Sequence, residues 1–195
     1  MTDLTGNGRN ATCVSCVIST QLHAINGSGS LMTRVTGSAG SSSIQFPVGS
    51  CPANHTMCFI TRYRGAAATQ KTILKNEVGG YFGHNTARRG IVNYGGNTIA
   101  NGVTTAPVIS YLNMCVSSSL PAPDYVLVNG VPNGIIGVAP ISPFTSTLSI
   151  NVNGGTETSG FELNQLIIWD RVLTSAEMTI VSNSFTKLLA TGVLA

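Results

Sequence analysis

Gly160-Phe161-Glu162-Leu163-Asn164-Gln165-Leu166-Ile167-Ile168-Trp169-Asp170-Arg171-Val172-Leu173-Thr174-Ser175-Ala176-Glu177-Met178 decides the fold, because it carries a strand directly into a helix. Strict alternation in its first half sets Phe161, Leu163, Ile167 and Trp169 on one face and Glu162, Asn164, Leu166 and Ile168 on the other. Both faces are partly apolar, so the strand is expected at the centre of a sheet, with the four odd-numbered residues as one inward row. Thr174-Ser175-Ala176-Glu177 then has the form of a capping box, Thr174 as N-cap and Glu177 reaching back to it. Met178, Val181, Phe185 and Leu188 repeat at helical spacing until Gly192 stops the element.

Upstream of this segment the chain is punctuated for turns. Asn-Gly or Gly-Gly steps at Asn26-Gly27, Gly79-Gly80, Gly95-Gly96, Asn101-Gly102, Asn129-Gly130, Asn133-Gly134 and Asn153-Gly154 separate short β-favouring runs, a strong hairpin signal. Strands are expected over 13–18, 29–35, 43–46, 56–63, 71–76, 90–94, 108–117, 124–128, 147–152 and 160–169. An antiparallel array closed by one helix is an all-β sandwich of jelly-roll type, and 195 residues fit it as a single domain over 1–195.

Composition agrees. Charged residues make up only 9% of the chain against about a quarter in average soluble domains, and Gly, Ser, Thr and Asn take their place. The ten Lys and Arg are spread in ones and twos, Arg62/Arg64 and Arg88/Arg89 being the densest pairs, so no basic stripe for nucleic acid is present. No apolar run approaches a membrane span, and Met1-Thr2-Asp3 does not begin a signal peptide.

Five cysteines leave at least one thiol outside any intramolecular pair. Cys13-Val-Ser-Cys16 followed by Cys51 and Cys58 has irregular spacing for zinc. Cys58 and Cys115 lie in apolar runs and are expected as buried core thiols, while Cys51 with Cys58, or Cys13 with Cys16, could close a short disulfide loop. Sequons at Asn10, Asn26 and Asn54 matter only for a secreted chain.

Against this frame, several motifs resemble the concanavalin A-like lectin and glucanase sandwiches, in their laminin G-like branch. Asp3-Leu4-Thr5-Gly6-Asn7-Gly8-Arg9-Asn10-Ala11-Thr12 is similar to that branch's opening Asp-x-Ser-Gly-Asn-Gly-x-x-Ala-Thr turn, ahead of which the family has a Trp and an N-terminal strand and this sequence only Met1-Thr2, as expected if a strand has been lost or if the chain was cut from something larger. Ile168-Trp169-Asp170-Arg171-Val172-Leu173-Thr174-Ser175-Ala176-Glu177-Met178 resembles the family's exit from a hydrophobic strand into a helix. Phe59-Ile60-Thr61-Arg62-Tyr63, Gly83-His84-Asn85 and Arg89-Gly90-Ile91-Val92 resemble a variant in virus structural proteins and algal surface proteins. An edge left open by the missing strand would be free to recruit another chain, including a second copy of this one.

The fold includes glycosidases, whose chemistry needs two carboxylates about 5–9.5 Å apart. The acidic inventory is Asp3, Glu77, Asp124, Glu157, Glu162, Asp170 and Glu177, with no Glu-x-Asp-x-x-Glu run; Glu157 and Glu162, the one close pair left, are expected to face apart. The expectation is therefore that the protein is not an enzyme. His23, His55 and His84 lie far apart and read as polar surface or loop residues, and scarce Asp argues against a strong calcium site, so no metal or cofactor is expected. Tyr81 to Gly90 reads as a hairpin with core aromatics, and its His84, Asn85, Arg88 and Arg89 combine imidazole, amide and guanidinium groups suited to a sugar, an acidic one in particular. The resemblance implies a lectin-like adhesion module on a virion or cell surface, with glycans or neighbouring proteins as partners, or a structural capsid, fibre or coat component without a sugar site.

Overall fold

The computed structural model describes residues 10–22, 31–66, 70–94, 97–104, 110–118, 125–134, 145–152 and 157–192. In chain order the strands are β1 (Thr12–Val14), β2 (Val17–Leu22), β3 (Leu31–Gly37), β4 (Ser43–Gln45), β5 (Thr56–Arg64), β6 (Leu74–Asn76) and β7 (Tyr81–Asn85). They continue as β8 (Arg88–Tyr94), β9 (Asn97–Thr104), β10 (Leu112–Ser117), β11 (Val126–Val128), β12 (Val131–Pro132), β13 (Leu148–Ile150) and β14 (Gly160–Trp169), and helix α1 (Ser175–Thr191) follows. Among the described residues these form two antiparallel seven-stranded sheets, ordered β1-β4-β13-β6-β7-β8-β9 and β12-β11-β10-β5-β14-β3-β2. The expected all-β sandwich with a late helix is the fold observed.

Two apolar layers hold it together. Between the sheets, Phe59, Tyr63, Phe82, Tyr94, Leu112, Met114, Phe161 and Leu163 are fully or almost fully buried. On the outer face of the second sheet, Met178, Phe185 and Leu188 of α1 cover Cys58, Ile60, Cys115 and Leu127. The helix begins as its sequence requires: Thr174 Oγ1 accepts from the Glu177 amide at 3.2 Å, and a Glu177 carboxylate oxygen accepts from the Thr174 amide at 2.8 Å. Gly192 ends it at φ 77°, its amide donating to Leu188 O at 2.8 Å.

The single inward row expected on β14 is corrected by a bulge. Its register on β5 skips between Leu163 and Gln165, leaving Asn164 as an extra residue whose amide donates to Thr33 O at 2.5 Å. One inserted residue reverses the parity of everything after it. Phe161 and Leu163 face the inter-sheet core, but beyond the bulge Leu166 and Ile168 do so, while Ile167 and Trp169 turn to the helix side. Trp169 is half-buried there and not part of the central core.

Other readings shift too. The run over 13–18 divides between the sheets, β1 in one and β2 in the other, with Ser15 at φ 51° between them. β9 and β12 are additional strands, and β7 is the first arm of the hairpin expected over Tyr81 to Gly90. Cys58 and Cys115 are buried but are not thiols: they stand opposite one another on β5 and β10 and form a disulfide. Cys13 and Cys16 form a second, so the remaining thiol is buried Cys51, which burial pushes up to about 12. The opening motif through Arg9, the reading of a missing N-terminal strand, His23, the Asn26 sequon and Asp124 lie outside the described residues. No helix among the described residues is long and apolar enough to cross a membrane.

Candidate functional site

β7 and β8 turn on Thr86 and Ala87, both at positive φ (49° and 57°), the backbone of a tight hairpin whose twist matches its strands. The four residues singled out in the sequence therefore flank this tip as two cross-strand pairs, Asn85 with Arg88 and His84 with Arg89. Arg88 is exposed and Arg89 half-buried. Asn85 Nδ2 donates to Thr72 Oγ1 at 3.0 Å, and the Ala87 amide to Gln70 O at 3.0 Å, so the tip is tied to the 70–72 segment.

His84 is not a surface residue. It is completely buried, bonded through Nδ1 to Thr61 Oγ1 at 3.2 Å and set edge-on to the Tyr63 ring. Burial, aided by the Arg89 charge, pushes it down to about 3, so it is neutral at physiological pH. Alternation carried the signal: His84 lies two residues from buried Phe82 and enters the core on the same face. His55 is likewise buried, its Nδ1 bonded to Pro52 O at 2.6 Å and its Nε2 to the Tyr94 hydroxyl at 2.7 Å, and burial lowers its pKa. Neither histidine contacts solvent, so His84 leaves the surface site.

Arg89 crosses between the sheets to the Ser110 hydroxyl at the start of β10. Next to Ser110, Tyr111 donates its hydroxyl to Glu162 Oε2 at 3.0 Å. This contact leads to a feature that the sequence reading missed. Glu162 is 1% exposed and is held from three sides on the outer face of the second sheet. Arg34 Nη1 donates to Oε2 at 2.5 Å, Arg62 Nε to Oε2 at 2.6 Å, and Arg62 Nη2 to Oε1 at 2.8 Å. The Arg62 guanidinium also lies 5.1 Å over the Tyr111 ring.

Register explains the assembly. Arg62 and Glu162 are direct cross-strand partners on β5 and β14, and Arg34 lies two residues along β3, on the same face, from Thr36, the partner of Glu162 on its other side. Burial pushes the Glu162 carboxyl up, but the hydrogen bonds and charges of Arg62 and Arg34 outweigh it and leave the group below the ordinary carboxylate range. Tyr111 is pushed up to about 12 by burial and by the Glu162 charge, so its hydroxyl stays a donor. Charged residues are almost never fully buried unless paired, so Glu162 inside an apolar strand was the available clue.

A third guanidinium is placed differently. Arg64 Nε stands 3.7 Å from Glu162 Oε1 and its side chain is 50% exposed. It forms one wall of an open cleft of about 320 Å³, whose other lining residues are Gly37, Ser38, Ala39, Gly65 and Gly160. The Lys71 backbone N–H donates to Ser159 Oγ at 2.5 Å, next to Gly160, so the 70–72 segment links the β7–β8 hairpin tip to the start of β14. Glu157 is exposed while Glu162 is buried, so the two do not form a facing carboxylate pair. Among the described residues no three His, Cys, Asp or Glu side chains converge as a metal site.

No family model matches the sequence, and no curated protein does. Solved structures do match. Domain 4 of AbnA, an extracellular arabinanase of Geobacillus stearothermophilus in complex with arabinotriose, aligns at TM-score 0.56 and 15% identity over 91% of this chain and 90% of its own. The binding domain of botulinum neurotoxin DC in complex with SialylT aligns at 0.61 and 12% over 93% of this chain. Trypanosoma rangeli sialidase in complex with the inhibitor DANA aligns at 0.59 and 11% over 86%. This chain spans about half of the toxin domain (47%) and about a third of the sialidase (30%). At these identities the likeness establishes the β-sandwich fold.

Proposed function

We propose that this protein is a non-catalytic, lectin-like module that contacts glycans through surface arginines, Arg64 on the cleft wall and Arg88 with Arg89 on the β7–β8 hairpin. The observation that carries the reading is the half-exposed Arg64 guanidinium on the wall of an open cleft, on a surface otherwise poor in charge. Planar guanidinium groups with several fixed donors suit hydroxyl- and carboxylate-rich ligands, and binding residues commonly sit on loops and turns held by a rigid scaffold. Proteins of the same fold have been captured with arabinotriose and with SialylT. A virion or cell surface is the proposed setting. Two disulfides fit an oxidising exterior, and the Phe59 to Tyr63 and Gly83 to Val92 motifs resemble virus and surface-protein variants. The non-catalytic part of the proposal rests on Glu162, whose oxygens accept from two arginines and a tyrosine, leaving it poorly placed to exchange protons with a substrate.

A second reading, a structural coat component with protein neighbours and no sugar site, draws on the aliphatic surface around β1 to β3. Val14, Val17, Ile18 and Leu31 are 53%, 60%, 73% and 64% exposed, and among the described residues β2 is an edge strand, without proline or charge. A glycan array followed by solution titration separates the two. Reproducible, competable binding supports the lectin reading; silence across the array moves the coat reading to the front. Release of reducing sugar from a bound glycan would overturn the non-catalytic assignment.

A further inference from the structure

Three guanidinium groups surround one carboxylate on the outer face of the second sheet, and they do not share it equally. Arg34 and Arg62 are buried and bonded to Glu162 at 2.5–2.8 Å. Arg64 is half-exposed, and its Nε stands 3.7 Å from the same carboxylate, too far for a good charge-assisted hydrogen bond. Arg34, Arg62, Arg64 and Glu162 together carry two positive charges in excess, and the guanidinium that faces solvent is the one on the cleft wall.

The rest of the cleft is backbone and small side chains. Gly37, Gly65 and Gly160 line it beside Ser38 and Ala39. Two of these glycines are demanded by packing beneath: a Cβ on Gly37 would stand 2.4 Å from the Phe161 ring, and one on Gly160 would stand 2.5 Å from Arg64 O. A volume of about 320 Å³ is at the small end of ligand pockets, roughly 300–1,000 Å³, and fits one or two sugar rings but no extended chain. Nε is the Arg64 atom that stands 3.7 Å from Glu162, and a guanidinium carries two terminal nitrogens besides, each able to donate to an oxyanion.

We propose that the cleft walled by Arg64 is an anionic-sugar subsite, with Arg64 pairing to the carboxylate or sulfate of the bound residue and Glu162 anchoring the arginine cluster behind it. This rests on the glycan-binding reading above and names the ligand class of the cleft. It also assigns charge recognition to Arg64 and not to the Arg88/Arg89 hairpin, because neither of those arginines lines the cleft and Arg89 is already bonded to Ser110.

The test uses the whole chain and matched oligosaccharides that are neutral, uronic-acid-containing or sulfated, titrated calorimetrically at low and moderate salt. The acidic members should bind about tenfold more tightly than the neutral one, with the advantage shrinking as salt rises. The better of the two acidic members identifies the anion. Arg64→Ala should erase that advantage and Arg64→Lys restore part of it, while circular dichroism shows both folded. Amide chemical shifts on titration with sodium glucuronate and with sulfated monosaccharide should move at Gly37, Gly65 and Gly160. Equal affinity for neutral and acidic members, or an acidic preference that survives Arg64→Ala and disappears in Arg88→Ala with Arg89→Ala, would overturn the inference while leaving the lectin reading intact. Binding to no glycan at all would remove both.

Discussion

Replacing Glu162 by Gln is the sharpest perturbation of this fold, because the change is nearly isosteric and strikes a carboxylate 1% exposed. Oε2 accepts from Arg34, Arg62 and Tyr111, and Oε1 from Arg62. A glutamine does best with its nitrogen at the Oε1 position, where it confronts one Arg62 donor, while the Arg34 and Arg62 bonds at Oε2 keep one ionised partner and the Tyr111 bond becomes neutral. Charge-assisted bonds are worth about 1.5–3 kcal/mol and neutral ones about 1, so losing the Oε1 bond and weakening the Tyr111 bond costs roughly 4 kcal/mol. Leaving two guanidiniums buried without their counter-charge leads to the same range, about 3–5 kcal/mol. At about 2–4 °C per kcal/mol for a chain of this size, the melting temperature should fall by roughly 10 °C.

Acid provides an internal control. The folded carboxyl lies below its ordinary value, so its stabilisation is complete above the unfolded pKa of about 4.3 and is lost as pH falls through the folded pKa. Urea midpoints of parent and Glu162→Gln should therefore differ most near neutral pH and converge in acid. Glu177, held at about 2 chiefly by Arg171, also destabilises the parent in acid, but it does so in both proteins and cancels from the difference. Replacing the whole cluster, Glu162→Leu with Arg34→Met and Arg62→Met, should recover much of the loss. A cost under about 1 kcal/mol for Glu162→Gln, or a gap independent of pH, would refute the idea that this cluster is a buried ionic network.

Two further outcomes follow from the framework around it. Thr174→Ala should lose about 1 kcal/mol in urea unfolding by breaking the capping box, whereas Glu177→Gln should be tolerated; no change for Thr174→Ala would place the helix start elsewhere. Removing the Cys58–Cys115 bridge, which spans 57 residues, should cost about 4 kcal/mol if chain entropy dominates, and a non-reducing peptide map should recover that cross-link with Cys51 unmodified in the native protein; Cys51 linked to either partner would contradict the pairing.

Local rules made the sandwich and its helix legible. Period-two runs, Asn-Gly turns and the Thr174/Glu177 box each act within a few residues, so the sequence needs no tertiary partner to announce them. The same locality explains the errors. The bulge at Asn164 cannot be read from alternation, because which residue is squeezed out depends on β5 alongside it, and that choice moved Trp169 from the central core to the helix side. His84 looked like a loop ligand because its polarity was weighed above its parity with Phe82; Thr61 and Tyr63, on the opposite sheet, make its burial possible.

Charge shows the division most clearly. Along the sequence Arg34, Arg62, Arg64 and Glu162 are scattered residues in apolar runs, and the chain's net charge of +3 looks evenly spread. The sequence by itself determined that strands would alternate, where they would turn, and that a helix would follow Thr174. Only the tertiary structure decided which strands became neighbours, and so which charges met. Cross-strand register brought Glu162 opposite Arg62 and within reach of Arg34, with Arg64 on the wall of a cleft; pairings between residues as far as 128 positions apart are set by the packing of whole sheets, which no local pattern encodes.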